Sequence, residues 1–186
     1  MSNYYLDIET TGLDHKNNQI LTIQYQELDF NNGEAVGKLV ILKAWESSEK
    51  DIVEKFSKMF DKNNVWKFVA HGYNLKFEHD FLLEKSVKYG LADPIKILDN
   101  PAVDLHPVGI MLNGGNFKGS GLDKISGKGK SGMYVLECHA IDKYDEIVEY
   151  IIQEAREYIK LFCWLKKEMP KLLVLYKESV GTLSGN

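Results

Sequence analysis

The chain has 186 residues, 44% hydrophobic and 27% charged, which excludes a disordered polar segment and fits one globular domain with a buried core. A formal net charge of -4 gives no general attraction to nucleic acid or anionic membrane, so a polyanionic substrate would need a local basic patch or bound cations. Two cysteines, Cys138 and Cys163, make neither a disulfide framework nor a zinc pattern.

In chain order, Tyr4, Leu6 and Ile8 alternate with Tyr5, Asp7 and Glu9, the period of a strand, so Asp7 and Glu9 share one face. Adjacent carboxylates on a rigid strand repel each other and are held best around a divalent cation; the alternative is the solvated face of an edge strand. Thr10-Thr11-Gly12 ends the strand in a turn. Ile20 to Tyr25 is a β-branched and aromatic second strand, and Lys38 to Leu42 a third, antiparallel to it across the Asn31-Asn32-Gly33 turn. Ser48-Glu49-Lys50-Asp51 matches a capping box with Asp in the acidic position, and apolar residues from Ile52 to Phe60 follow at helical spacing. Trp66 to Ala70 reads as a fourth strand, followed by a helix carrying Phe81, Leu82, Val87 and Leu91.

Residues Asn113 to Gly132 interleave glycines with Lys118, Lys124, Lys128 and Lys130, the composition of a cationic loop that either tracks a phosphate backbone or is simply solvated, with a short helical piece around Leu122 to Ile125. Gly129-Lys130-Ser131 lacks the upstream glycine of a nucleotide-binding loop, since Lys124 occupies that position. A last helix runs from about Tyr144 to Glu168, where Pro170 interrupts it. Residues 1–176 are expected to form one domain and 177–186 a frayed tail. The start of the chain enters a strand without a leader pattern, and no apolar run approaches membrane-spanning length. The expectation is a cytoplasmic protein with no membrane partner.

Two further acidic sites stand out. Glu78 and Asp80 lie at the start of the helix after the fourth strand, where capping alone would also favour carboxylates. Tyr150 and Glu154 lie four residues apart on one face of the last helix.

In order, these stretches resemble the DEDD (DnaQ-like) 3'–5' exonuclease superfamily. Tyr5-Leu6-Asp7-Ile8-Glu9-Thr10-Thr11-Gly12-Leu13 matches the first motif without departure. Asn74-Leu75-Lys76-Phe77-Glu78-His79-Asp80-Phe81-Leu82 looks like the second, with Glu78 where the family has Asp and Asp80 as the fallback ligand two residues late. Tyr150-Ile151-Ile152-Gln153-Glu154 looks like the third motif of the tyrosine-type branch, again with Glu for Asp. Val103-Asp104-Leu105-His106 resembles a segment between the motifs, with Asp104 supporting the site from behind or purely structural.

The resemblance implies a ribonuclease H-like α/β fold: a mixed five-stranded sheet, three antiparallel strands and then parallel ones, flanked by helices. It implies a metal-dependent exonuclease that hydrolyses single-stranded DNA or RNA from the 3' end. Two cations, Mg²⁺ or Mn²⁺, would be bridged by Asp7 and completed by Glu9, Glu78 and Glu154, with Tyr150 orienting the attacking water. Thr10, Thr11, Gly12, Leu13 and Asn74 would receive the terminal nucleotide, with Leu13 as an apolar wedge, and Lys118, Lys124, Lys128 and Lys130 the strand upstream. The alternative is a catalytically weak or inactive ribonuclease H-like module that binds nucleic acid or protein. A phosphohydrolase using Asp7 as covalent nucleophile fits less well, because that motif wants Asp at position 9.

Overall fold

In the computed structural model, which describes residues 1–61, 63–127 and 129–183, the first strand, β1 (Asn3–Thr10), is the middle strand of five. It pairs antiparallel with β2 (Ile20–Leu28), which pairs antiparallel with β3 (Ala35–Lys43). On its other side β1 pairs parallel with β4 (Val69–Gly72), which pairs parallel with β5 (Ala102–Asp104), giving the order β3-β2-β1-β4-β5. The sheet is the mixed five-stranded one expected. The central place of β1 disposes of the edge-strand alternative: Asp7 and Glu9 stand inside the sheet.

The alternation of β1 divides its side chains between two layers. Leu6 and Ile8 are buried on one face with Val53 and Phe56 of α1 (Glu49–Ser57) and Phe81 and Leu82 of α2 (Leu75–Lys88). Tyr5 is buried on the other with Tyr158 and Phe162 of α6 (Tyr144–Leu183). Ser48 caps α1 as its sequence promises, its Oγ accepting from the Asp51 amide at 3.0 Å and donating to the Asp51 carboxylate at 2.6 Å. Between β5 and α6 lie three short helices: α3 (His106–Leu112), α4 (Leu122–Ile125) and α5 (Met133–His139). Only α4 is foreshadowed by the sequence.

The last helix corrects the expectation of a break at Pro170. It passes through Pro170 and runs on to Leu183, while residues 184–186 lie outside the described ones. A proline inside a helix removes one intrahelical hydrogen bond. Here it is exposed, so the carbonyl that loses its partner can be hydrated, and strong helix formers flank it, with Lys171 bound to Glu168 at 2.8 Å across the break. Among the described residues no helix is long and apolar enough to cross a membrane.

Candidate active site

Three carboxylates converge on the α6 side of the sheet: Asp7, Glu9 and Glu154 each offer an oxygen, and these oxygens lie within 4.8 Å of one another. Asp7 and Glu9 are brought there by the period of β1, and Glu154 by α6 crossing that face. Asp7 Oδ2 accepts from the Gln24 amide at 2.7 Å and from the Tyr5 hydroxyl at 3.3 Å. Gln24 faces Asp7 across the β1–β2 ladder, Thr22 faces Glu9, and the Thr22 hydroxyl donates to Gln24 Oε1 at 2.9 Å.

Glu78, in the first turn of α2, is buried and bonded to Asp7. Burial first, and then the charge of Asp7, pushes its carboxyl well above the usual carboxylate range. Glu78 is thus held toward its protonated form, in which it donates to Asp7, while its Oε2 is buried with no hydrogen-bond partner among the described residues. Its register neighbour Asp80 is absent from this cluster. Asp80 is bound instead by Lys76 at 2.8 Å in a solvent-facing i,i+4 pair. Of the two carboxylates in this stretch, Glu78 is the one brought to Asp7.

Tyr150 donates its hydroxyl to Glu154, and burial followed by the charges of Glu154 and Glu9 pushes its ionisation far above the ordinary phenol range. It is therefore a hydrogen-bond donor at neutral pH rather than a base. Tyr5, fully buried beside Asp7, Glu154 and Glu9, is shifted in the same direction, chiefly by burial.

The start of α2 is fixed from behind by Asp104 at the end of β5. Its carboxylate accepts from three backbone amides: Asn74 at 2.8 Å, Leu75 at 3.0 Å and His106 at 2.9 Å. Asn74 holds a left-handed backbone (φ 69°), which Asn tolerates better than most residues, and its side chain takes no part in capping. Asp104 thus does the capping, and the side-chain carboxamide of the exposed Asn74 is not used for it.

The β1–β2 loop is knitted to itself. Thr11 and Gln19 exchange bonds at 2.9 and 2.8 Å, Thr10 donates to the Gly12 carbonyl at 2.6 Å, and the Asn18 carboxamide accepts from Asp14 at 2.9 Å. That carboxamide lies against Gly12, where an added Cβ would come within 2.6 Å of it, so no larger residue fits there without a shift. Leu13, at the tip, is 86% exposed, an apolar side chain that the fold leaves in water.

A cavity of about 150 Å³ adjoins Asp7 and Glu154, with Tyr73, Asp123 and Ser131 on its wall. The lysines of the glycine-rich segment differ in setting. Lys118 is exposed, Lys124 lies 3.5 Å from Asp123, and Lys130 stands 3.7 Å over the Tyr134 ring. Lys128 lies outside the described residues.

The donor set fits divalent cations. Ligand oxygens 2.0–2.6 Å from one ion lie within roughly 5 Å of each other, as these three carboxylates do, and an all-oxygen set suits Mg²⁺ or Mn²⁺. The unpartnered, buried Glu78 Oε2 is a further donor of the same kind. Thr22 and Gln24 were not foreseen. Their signal was two polar residues alternating with Leu21 and Ile23 in an otherwise apolar strand, on the positions that pair with the acidic face of β1.

A family model described as the RNase H superfamily matches residues 4–128, a span that includes Asp7, Glu9, Glu78 and Asp104. Among solved structures, exonuclease I of E. coli in complex with a dT13 oligonucleotide superposes with a TM-score of 0.63 at 12% identity, over 94% of this chain and 43% of that one. Exonuclease I of Methylocaldum szegediense gives a TM-score of 0.46 at 14% identity, over 59% and 29%. The chain spans less than half the length of these structures. No curated protein matches it.

Proposed function

The chain belongs to the RNase H superfamily, and we propose that it is a metal-dependent 3'–5' exonuclease acting on single-stranded DNA or RNA ends. The observation that carries this reading is the meeting of Asp7, Glu9 and Glu154 within 4.8 Å, with Glu78 buried against Asp7. The fold is shared with exonuclease I, a protein solved with an oligonucleotide, and three sequence motifs fall on this one constellation.

Asp7, Glu9, Glu78 and Glu154 would hold two divalent cations, Mg²⁺ or Mn²⁺. When bound, such ions activate water and neutralise charge on the phosphate and leaving oxygen. The residues of this chain do the rest. Tyr150, protonated and anchored on Glu154 through its one O–H, orients the attacking water by accepting a hydrogen bond from it. Leu13 offers an apolar surface for the terminal base, and backbone groups from Thr10 to Gly12, with the Asn74 side-chain carboxamide, receive the terminal nucleotide. Lys118, Lys124, Lys128 and Lys130 attract the upstream phosphates, which the acidic net charge of the chain would otherwise repel.

Digestion of 5'-labelled single-stranded DNA and RNA with Mg²⁺, Mn²⁺ or chelator tests the proposal. The expected result is a ladder shortening from the 3' end that vanishes in chelator. Intact strands in every lane, with folded protein, would instead favour a binding module.

A further inference from the structure

Asp7 is the carboxylate on which the other groups of the site converge, and β2 supplies a device that fixes it. Thr22 and Gln24 are both fully buried, although two polar side chains in the middle of a five-stranded sheet cost stability unless their hydrogen bonds are made. They are made in one direction only. Asp7 Oδ2, a carboxylate oxygen that can only accept, takes the Gln24 NH₂ at 2.7 Å, which turns Gln24 Oε1 toward Thr22, whose hydroxyl donates to it at 2.9 Å.

We infer that Thr22 and Gln24 form a positioning pair that sets the rotamer of Asp7 for divalent-cation binding. The inference rests on the metal site of the proposed exonuclease and assigns a role to residues outside its motifs. The chemistry of the donor is the reason. A lysine or arginine at position 24 would also hold Asp7, but its charge would offset the carboxylate and compete with the cation. A neutral amide fixes the orientation and leaves the negative charge of the cluster whole. Because it occupies Oδ2 together with the Tyr5 hydroxyl, it limits how the carboxylate can rotate. Groups that orient a metal's direct ligands commonly contribute ten- to a hundredfold in affinity.

The test is Mn²⁺ binding by calorimetry at fixed pH, with thermal unfolding in chelator as a separate readout. Gln24→Met keeps length and volume and removes the donor. It is expected to weaken Mn²⁺ binding about tenfold at a temperature where melting in chelator shows the variant fully folded, the orphaned Thr22 hydroxyl lowering the melting temperature by roughly 2–12 °C. Thr22→Val, nearly isosteric, frees the Gln24 amide to flip and should weaken binding about threefold, with Thr22→Ser restoring it. Mn²⁺ affinity in folded Gln24→Met within about twofold of wild type would overturn the positioning role while leaving the metal site standing. If Gln24→Met fails to fold, an unchanged affinity in Thr22→Val overturns it equally. A wild-type protein that binds no Mn²⁺ would overturn the metal site and, with it, this inference.

Discussion

Asp104 stands behind the acidic cluster, where its charge reaches Glu78, and its removal is expected to damage both stability and activity. Its carboxylate serves three amides at 2.8–3.0 Å, those of Asn74, Leu75 and His106, and thereby ties β5 to the starts of α2 and α3. In Asp104→Ala the Asn74 amide is at an exposed residue and can find water, but Leu75 is fully buried. One orphaned buried amide costs about 1–3 kcal/mol, and loss of a helix cap about 1 kcal/mol more. The sum is about 2–4 kcal/mol, equivalent for a chain of this size to a fall in melting temperature of roughly 5–15 °C. Asp104→Asn keeps one acceptor oxygen and should lose about half as much. Activity at saturating substrate should fall about tenfold or more at a temperature where the variant is fully folded, because Glu78 stands in the turn that Asp104 anchors. Circular-dichroism melts and a nuclease assay on the same samples make the check. An Asp104→Ala protein that melts within about 2 °C of wild type and cleaves at the wild-type rate would refute the capping role and its link to the site.

Other substitutions probe the cluster directly. Asp7→Asn should abolish cleavage with an unchanged melting temperature in chelator, and wild-type-like cleavage by it would sink the mechanism. Glu78→Gln should cost far more activity than Asp80→Asn, whose exposed pair with Lys76 contributes at most about 0.5 kcal/mol; the reverse order would mean that the second motif is aligned wrongly. Without metal, Glu78 also makes the fold pH-sensitive. Its native form holds a proton that the unfolded chain releases above about pH 4.3, so stability falls as pH rises toward the elevated native value. In chelator, Glu78→Gln should therefore melt above wild type by a margin that widens as pH rises above about 4.3 toward that elevated native value; a margin that narrows over the same rise contradicts the buried neutral acid. His71, whose ionisation burial lowers to about 4, acts between about pH 4 and 6.5 in the opposite sense, stability rising with pH, and because both proteins carry it, it does not contribute to the margin between them.

The legible parts of this site are those where periodicity alone decides the outcome. Alternation in β1 puts Asp7 and Glu9 on one face wherever the strand lies, and four-residue spacing puts Tyr150 beside Glu154 in any helix. Thr22 and Gln24 were less visible, because alternation says which residues share a face but not whether that face meets solvent or a carboxylate. The role of Asp104 depends on β5 ending beside the start of α2, a contact between residues about thirty apart in sequence that no local pattern encodes. The short helix α5 is held by tertiary packing, with Val135 and Cys138 buried against Ile147 and Tyr150 of α6, rather than by a strong pattern of its own. Pro170 misled because a helix-breaking preference is weaker than the flanking helix formers when the site is exposed.

The central claim is that this cluster removes nucleotides from a 3' terminus with the aid of divalent cations. The most direct measurement compares linear and covalently closed circular single strands of the same sequence, incubated with the protein and Mn²⁺, with release of mononucleotides followed over time. The account predicts that the linear strand is consumed, the circle survives, and chelator or Asp7→Asn stops the reaction. Cleavage of the circle at a comparable rate, or consumption of the linear strand undiminished in chelator, would contradict it.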